Sequence, residues 1–181
     1  MKTVSLLVLV FVSSFRPGLA ASPPAADVRN FAQVNDHLYR GGVPTAVGLQ
    51  ELGAMGVKLV IDLRETSKET GVEKAQAEKL GIRYVNVPLR PVSAPTQSEI
   101  AHILSLLSEN ETAHVFVHCR RGKDRTGTVV ACYRIQHDGW SNKKAQAEAN
   151  GYGMSHVERG MRSFIGHFTP LTVPQTLKAS N

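Results

Sequence analysis

Cysteine is scarce in this sequence: 181 residues contain only Cys119 and Cys132. Two cysteines cannot build a disulfide framework, and a chain of this length buries enough core not to need one. Aromatic residues are also few, at 6% with a single tryptophan, and no basic run is interleaved with them. That argues against nucleic acid as a partner. No apolar stretch reaches the roughly 20 residues of a comfortable membrane span. The histidines other than His118 are His37, His102, His114, His137, His156 and His167, scattered without metal-ligand spacing. Zinc is disfavoured further because His118 and Cys119 are adjacent with no second Cys/His pair nearby. There is no internal repeat and no low-complexity tract.

What remains is the composition of a globular protein, 42% apolar and 20% charged, enough for one domain. Its beginning stands apart. Lys2 precedes an apolar run from Val4 to Val12 broken only by Ser5, and Gly18-Leu19-Ala20 follows. This is the pattern of an export signal over residues 1–20, cut after Ala20, with an uncleaved anchor as the alternative. The expected compartment is therefore outside the cytoplasm, periplasmic or secreted. Residues 21–29 read as a disordered lead-in, 30–168 as the domain and 169–181 as a tail. Losing the signal removes Lys2 and Arg16 but no acid, so 21 basic residues become 19 against 15 acidic, and the net charge falls from +6 to +4. Such a mildly basic surface favours anionic substrates.

Strand and helix patterns alternate along the domain. Val34–Arg40 reads as a first strand ending at the Gly41-Gly42 turn. Thr45 caps an expected helix through Met55, stopped by Gly56. Val57–Leu63 is an apolar, β-branched run suited to a strand covered on both faces. A helix is expected over 72–80 and a strand over 82–87. Thr96 and Glu99 form a capping box ahead of the stripe Ile100, Ile103, Leu104 and Leu107. HVFVH, residues 114–118, reads as a central strand, followed by a helix from about Arg125 to His137. Ser141 caps another helix through Ala149, and the last spans 156–168. The fold class is α/β: a three-layer sandwich whose mostly parallel sheet of four to five strands is flanked by helices. Its chemistry belongs at the carboxyl end of the strand ending at His118.

That end carries HCRRGKDRTG. Cys119 follows a buried strand, five residues intervene, and Arg125 opens a helix. A span containing Gly122 can curl so that successive backbone N–H groups face one concavity, with the helix dipole behind them. Arg125 presents a planar fork to two phosphate oxygens. Nucleophile and anion site then coincide, which positions a phosphate ester for in-line attack. The segment is not a nucleotide-binding Walker loop, because Val117 stands where the upstream glycine belongs and no Ser/Thr follows Lys123. Cys132, roughly 10 Å further along the helix, lies beyond disulfide reach and reads as a core residue.

HCRRGKDRTG matches the HC-x5-R-[ST]-G signature of the protein tyrosine and dual-specificity phosphatase superfamily. NFAQVNDHLYRGGVP, VKLVIDLRE and TGTVVACYRIQHDGW extend the likeness over residues 30–168, and the whole resembles the compact atypical dual-specificity phosphatases of bacteria, plants and fungi. The resemblance implies a protein-tyrosine-phosphatase-like fold and a phosphocysteine intermediate on Cys119. It also implies that Arg125 binds phosphate, that His118 orients the loop, and that the Thr126 hydroxyl stabilises the sulfur. Gly122 and Gly127 belong to the same substrate-binding loop. Sulfurtransferases also use a cysteine loop, but with a shorter or differently spaced arginine.

Many members of that superfamily draw their general acid from an aspartate in the loop after the preceding strand. Here that loop, PLRPVSAPTQSE, contains none, and Glu99 is committed to the capping box. Asp124 is the candidate acid, with a loop-rigidifying salt bridge as its alternative role. Arg120, Arg121 and Lys123 surround the phosphate site, either as ligands of a polyphosphorylated substrate or as solvated charges. Arg40 and Arg64 end two strands and are candidates for the same rim, Arg64 pairing alternatively with Asp62 or Glu65. The expected function is hydrolysis of phosphomonoesters on phosphotyrosine or phosphoserine/threonine proteins. Inositol phosphates or phosphoinositides are the alternative substrates, and a non-catalytic phospho-reader is the non-enzymatic one. No metal or organic cofactor is expected, and a membrane lipid is a possible substrate without a stable membrane anchor.

Overall fold

The computed structural model describes residues 27–171. The expected signal segment, most of the lead-in and most of the tail lie outside the described residues.

Strands β1 (Ala32–Gln33), β2 (Leu38–Gly41), β3 (Val57–Asp62), β4 (Arg83–Asn86) and β5 (His114–His118) form one sheet in the order β1-β2-β5-β3-β4. The β1–β2 pair is antiparallel, and the remaining pairs are parallel. Around the sheet lie α1 (Ala46–Ala54), α2 (Lys68–Lys79), α3 (Gln97–Ser108), α4 (Asp124–Gln136), α5 (Asn142–Gly151) and α6 (Arg159–His167). The expected three-layer α/β arrangement is the one found.

The uninterrupted apolar runs of β3 and β5 follow from cover on both faces. Val115 and Val117 join Leu59, Ile61 and the apolar residues of α3 to α6 in the larger core. Phe116 points to the opposite face, with Val60, Leu49 and Leu52 of α1 and Ala77 of α2. Neighbouring residues of one strand thus feed two cores, the period-2 consequence of the pleat.

Local chemistry sets the helix starts. Thr45 accepts from Gly48 N–H, Ser141 accepts from Lys144 N–H, and Thr96 with Glu99 forms the expected capping box. Ser67 and Thr70 form a further box, which starts α2 at Lys68, four residues before the expected 72. The first strand is also displaced. The Asn35 side-chain oxygen accepts from His37 and Leu38 N–H, which folds 34–37 into a turn and leaves only 38–41 extended. α6 begins at Arg159 and not at 156, because a turn at Ser155–Glu158 precedes it.

Both ends of the domain extend past the expected limits. Val28 bridges Pro44 and is buried, and Gly42 N–H donates to the Arg29 carbonyl, so 27–29 belong to the fold and not to a disordered lead-in. At the other end Leu171 N–H donates to the Gln136 side chain at 2.6 Å.

Candidate active site

The central strand β5 delivers Cys119 to the floor of a pocket of about 770 Å³, where it is 3% exposed. Glycine at 122 is obligatory for the loop that follows. Its φ is +69°, and a Cβ there would stand 2.4 Å from the Gly41 carbonyl carbon and 2.5 Å from Gly42 N. The Gly122 carbonyl is pinned by donors from the protein interior, Arg40 Nη2 at 2.6 Å and Asn30 Nδ2 at 2.8 Å. Among the described residues, no hydrogen bond engages the backbone N–H groups from Arg120 to Thr126, whereas Gly127 N–H donates to Lys123. α4 also begins without a side-chain cap. The result is a set of open amides at a helix N-terminus, suited to a tetrahedral anion.

Arg125 is held at one end only. Its Nη1 donates to the Leu63 carbonyl at 3.1 Å and the Leu89 carbonyl at 3.2 Å, and its other edge makes no hydrogen bond among the described residues. That free edge belongs to a side chain lining the pocket, and it is the geometry a bidentate phosphate contact needs.

The loop residues separate into pocket lining and support. Cys119, Arg120, Arg121, Asp124 and Arg125 line the cavity together. His118 does not: it is fully buried behind the loop, stacked on Phe116, with Nε2 lying 2.9 Å from Glu73 Oε1 but out of line for a hydrogen bond. Its place is behind the loop and away from the pocket surface. The Thr126 hydroxyl is turned to the Gly41 carbonyl at 3.4 Å. Gly127 provides the close approach of α4 to Ala149 and Met154, and Lys123 extends beside Gly153. None of His118, Gly122, Lys123, Thr126 and Gly127 contributes to the pocket wall. Asp124 makes the contacts that its loop-rigidifying alternative calls for: Oδ1 accepts from Ser155 N–H at 2.8 Å, and Oδ2 lies 3.4 Å from Arg121 Nη2.

Neither strand-end arginine reaches the rim. Arg40 is 1% exposed, lies 4.0 Å from the centre of the Tyr152 ring, and has burial lower its pKa to about 10. Arg64 pairs with Asp62, at 2.7 Å from Nη2, and with Glu73. Burial pushes the Asp62 carboxyl up, but hydrogen bonds from Arg64 and Tyr84 and the nearby His118 outweigh it and leave it below its usual range. Asp62, Glu73 and His118 bring ligand-type atoms within 4.8 Å of one another. The Arg64 guanidinium already bridges the two carboxylates, so the cluster has its cation. Burial pushes the Cys132 thiol up, and Cys132 is a core residue on α4.

Several wall residues carried no signal in the sequence. Arg29 comes from the N-terminal segment, Pro91 and Val92 from the loop after β4, and Glu158 and Met161 from the start of α6. Val92 has φ +56°, costly for a β-branched residue, and is exposed. Only a composition cue, the lone buried-type acid before an amphipathic helix, could have marked Glu158.

The family model described as a DSP-PTPase phosphatase fused to NAD+ kinase matches residues 20–165. Among curated proteins, the inositol diphosphatase DSP4 of Arabidopsis thaliana is 31% identical over 58% of this chain and 54% of its own length. The dual specificity protein phosphatase TpbA of Pseudomonas aeruginosa is 29% identical over 75% of this chain and 61% of its own. The chain thus spans under two thirds of the length of both. The crystal structure of TpbA superposes with a TM-score of 0.66 at 24% identity, covering 76% of this chain and 83% of that one. The catalytic core of the PP-IP phosphatase SIW14 of S. cerevisiae gives 0.68 at 20% identity, covering 78% and 86%.

Proposed function

Because this chain belongs to the DSP-PTPase phosphatase family, matched over residues 20–165, we propose that it hydrolyses phosphomonoesters through a phosphocysteine intermediate on Cys119. The observation that carries the reading is the coincidence, in one pocket, of Cys119 at the floor, the loop residues Arg120, Arg121 and Asp124, whose amides make no hydrogen bond among the described residues, and the free edge of Arg125. Arg125 and the amides hold the three non-bridging oxygens. The Cys119 sulfur attacks phosphorus in line, the P–O ester bond breaks, and the leaving oxygen takes a proton. Water then attacks phosphorus, the S–P bond breaks, and phosphate leaves.

Phosphotyrosine or phosphoserine/threonine proteins are the primary substrate reading, in keeping with TpbA, which is named a dual specificity protein phosphatase. A second reading, inositol phosphates or phosphoinositides, is favoured by a specific feature: Arg29, Arg120 and Arg121 all line the pocket wall outside the loop amides. One phosphate group does not need three further guanidinium groups, and several do. DSP4, named an inositol diphosphatase, lies in the same range of similarity. We also propose export, to the periplasm or the exterior, on the pattern Lys2, Val4–Val12 and Gly18-Leu19-Ala20.

Phosphate release from a phosphotyrosine peptide and from an inositol polyphosphate, measured side by side with Cys119→Ser as blank, tests the proposal. Preference for the peptide makes the arginines solvated rim. Preference for the polyphosphate makes them substrate ligands. Tight binding of either without turnover would establish a phospho-reader instead.

A further inference from the structure

Departure of an ester oxygen calls for a proton, and the loop after β4 lines the pocket with Pro91 and Val92 and supplies no acid. Three carboxyl groups line the same cavity as Cys119: Asp27, Asp124 and Glu158. Asp27 is exposed, and the Thr45 hydroxyl donates to its Oδ1 at 3.3 Å. Asp124 has one oxygen on Ser155 N–H and the other 3.4 Å from Arg121 Nη2, so each already faces a donor.

Glu158 has different surroundings. It is 7% exposed, its Oε2 is buried with no hydrogen-bond partner among the described residues, and it sits at the uncapped start of α6. An ionised oxygen placed there has neither water nor a donor, so the neutral carboxyl is the less costly state. Burial first, and then the charge of Asp124, raise the Glu158 pKa against the opposing pull of Arg121 and Arg125. The other charges on the cavity wall, Arg29, Arg120 and Asp27, are exposed. Met161, three residues further along in α6, is buried and adds apolar surface to the same wall. An arriving phosphate dianion adds negative charge to this pocket and strengthens the preference for the neutral acid.

We infer that Glu158 is the general acid of this site and that Asp124 is a positioning residue, holding Arg121 and the Ser155 turn in place. The inference rests on the phosphatase reading above. As the S–P bond to Cys119 forms, the P–O ester bond breaks, its electron pair stays on oxygen, and that oxygen takes the Glu158 proton. In the second step the Glu158 carboxylate accepts a proton from the attacking water, the S–P bond breaks, and both groups return to their starting states. The device departs from an aspartate in the loop after β4 and from an acid inside the cysteine loop.

The test is kcat/KM of the full chain as a function of pH on two aryl esters, 4-nitrophenyl phosphate and phenyl phosphate. 4-Nitrophenolate leaves without help, whereas phenolate needs the proton. Glu158→Gln is expected to lose about 10²- to 10³-fold on phenyl phosphate, at least tenfold more than on 4-nitrophenyl phosphate. The basic limb of the phenyl phosphate profile should vanish in Glu158→Gln and persist in Glu158→Asp, which also serves if the Gln variant folds poorly. Asp124→Asn should lose equally on both esters. Equal losses in Glu158→Gln, a basic limb that survives it, or a leaving-group-selective loss in Asp124→Asn each overturn the inference. If the unsubstituted chain hydrolyses neither these esters nor the phosphotyrosine peptide and inositol polyphosphate above, the phosphatase reading itself fails and takes this one with it.

Discussion

Arg40 Nη2 donates to the Gly122 carbonyl at 2.6 Å, from the buried side of the loop whose own amides carry no hydrogen bond among the described residues. The bond fixes which way the Gly122 peptide points. With the carbonyl held inward by Arg40 and Asn30, the unpaired loop amides are left for an anion to use.

Arg40→Met keeps much of the side-chain volume and removes this donor. It is expected to cost about 1–3 kcal/mol of stability, the range for losing a charged hydrogen bond in a buried setting. KM for a phosphate ester should rise about tenfold or more, since a loosened loop presents its amides less well. Urea unfolding and steady-state kinetics on the same preparation check both effects.

Gly122→Ala places a methyl group 2.4 Å from the Gly41 carbonyl carbon at a φ of +69°. Either the loop or the end of β2 must move, and the expected outcome is a loss of turnover beyond about 100-fold, as for misplacement by an ångström. Gly71→Ala is the contrast. Its Cβ meets nothing within 4 Å, and it lies inside α2, so it should stabilise by about 0.5–1 kcal/mol. Thermal melts of the pair compare the two directly.

Arg64→Met leaves Asp62 and Glu73 buried beside each other without their shared cation. Breaking such an arrangement from one side costs about 3–5 kcal/mol. The loss should shrink on acidification, because the stability contributed by the depressed Asp62 carboxyl disappears as pH falls through its folded pKa. Denaturant midpoints at pH 7 and at about pH 2, below the ordinary Asp value of 3.8, give the comparison.

Glu158 predicts the opposite pH dependence. Its pKa is raised in the folded protein, so the folded state binds more protons than the unfolded one just above the ordinary value of 4.5. That contribution is complete below the unfolded pKa and is lost as pH rises through the folded one. Glu158→Gln should therefore match the parent chain in stability in acid and exceed it at pH 7, while losing activity. Equal melting temperatures at pH 7 would count against the raised pKa.

The segments read best from sequence were those whose signal is local. The Thr96–Glu99 box, the Ser141 and Thr45 caps and the two-sided strand HVFVH depend on contacts within a few residues, and each lies where expected. The turn at 34–37 carries an apolar strand pattern through Val34, but the Asn35 side chain outcompetes the sheet for the His37 and Leu38 amides. α2 was begun late because its first turn is polar and its cap pairs Ser67 with Thr70, not with Glu or Gln.

By itself the sequence determined the fold class, the family, and the placing of Cys119 and Arg125 at the two ends of one strand–loop–helix turn, because a cysteine and an arginine with only five residues between them are bound by chain geometry. Tertiary structure alone decided which charges reach the pocket. His118, Arg64 and Arg40 turn away into buried contacts, whereas Arg29, Asp27 and Glu158 arrive from segments remote in the chain. The physical reason is that local pattern fixes which face of an element is apolar, but the exposure and partners of a polar side chain depend on the elements packed against it.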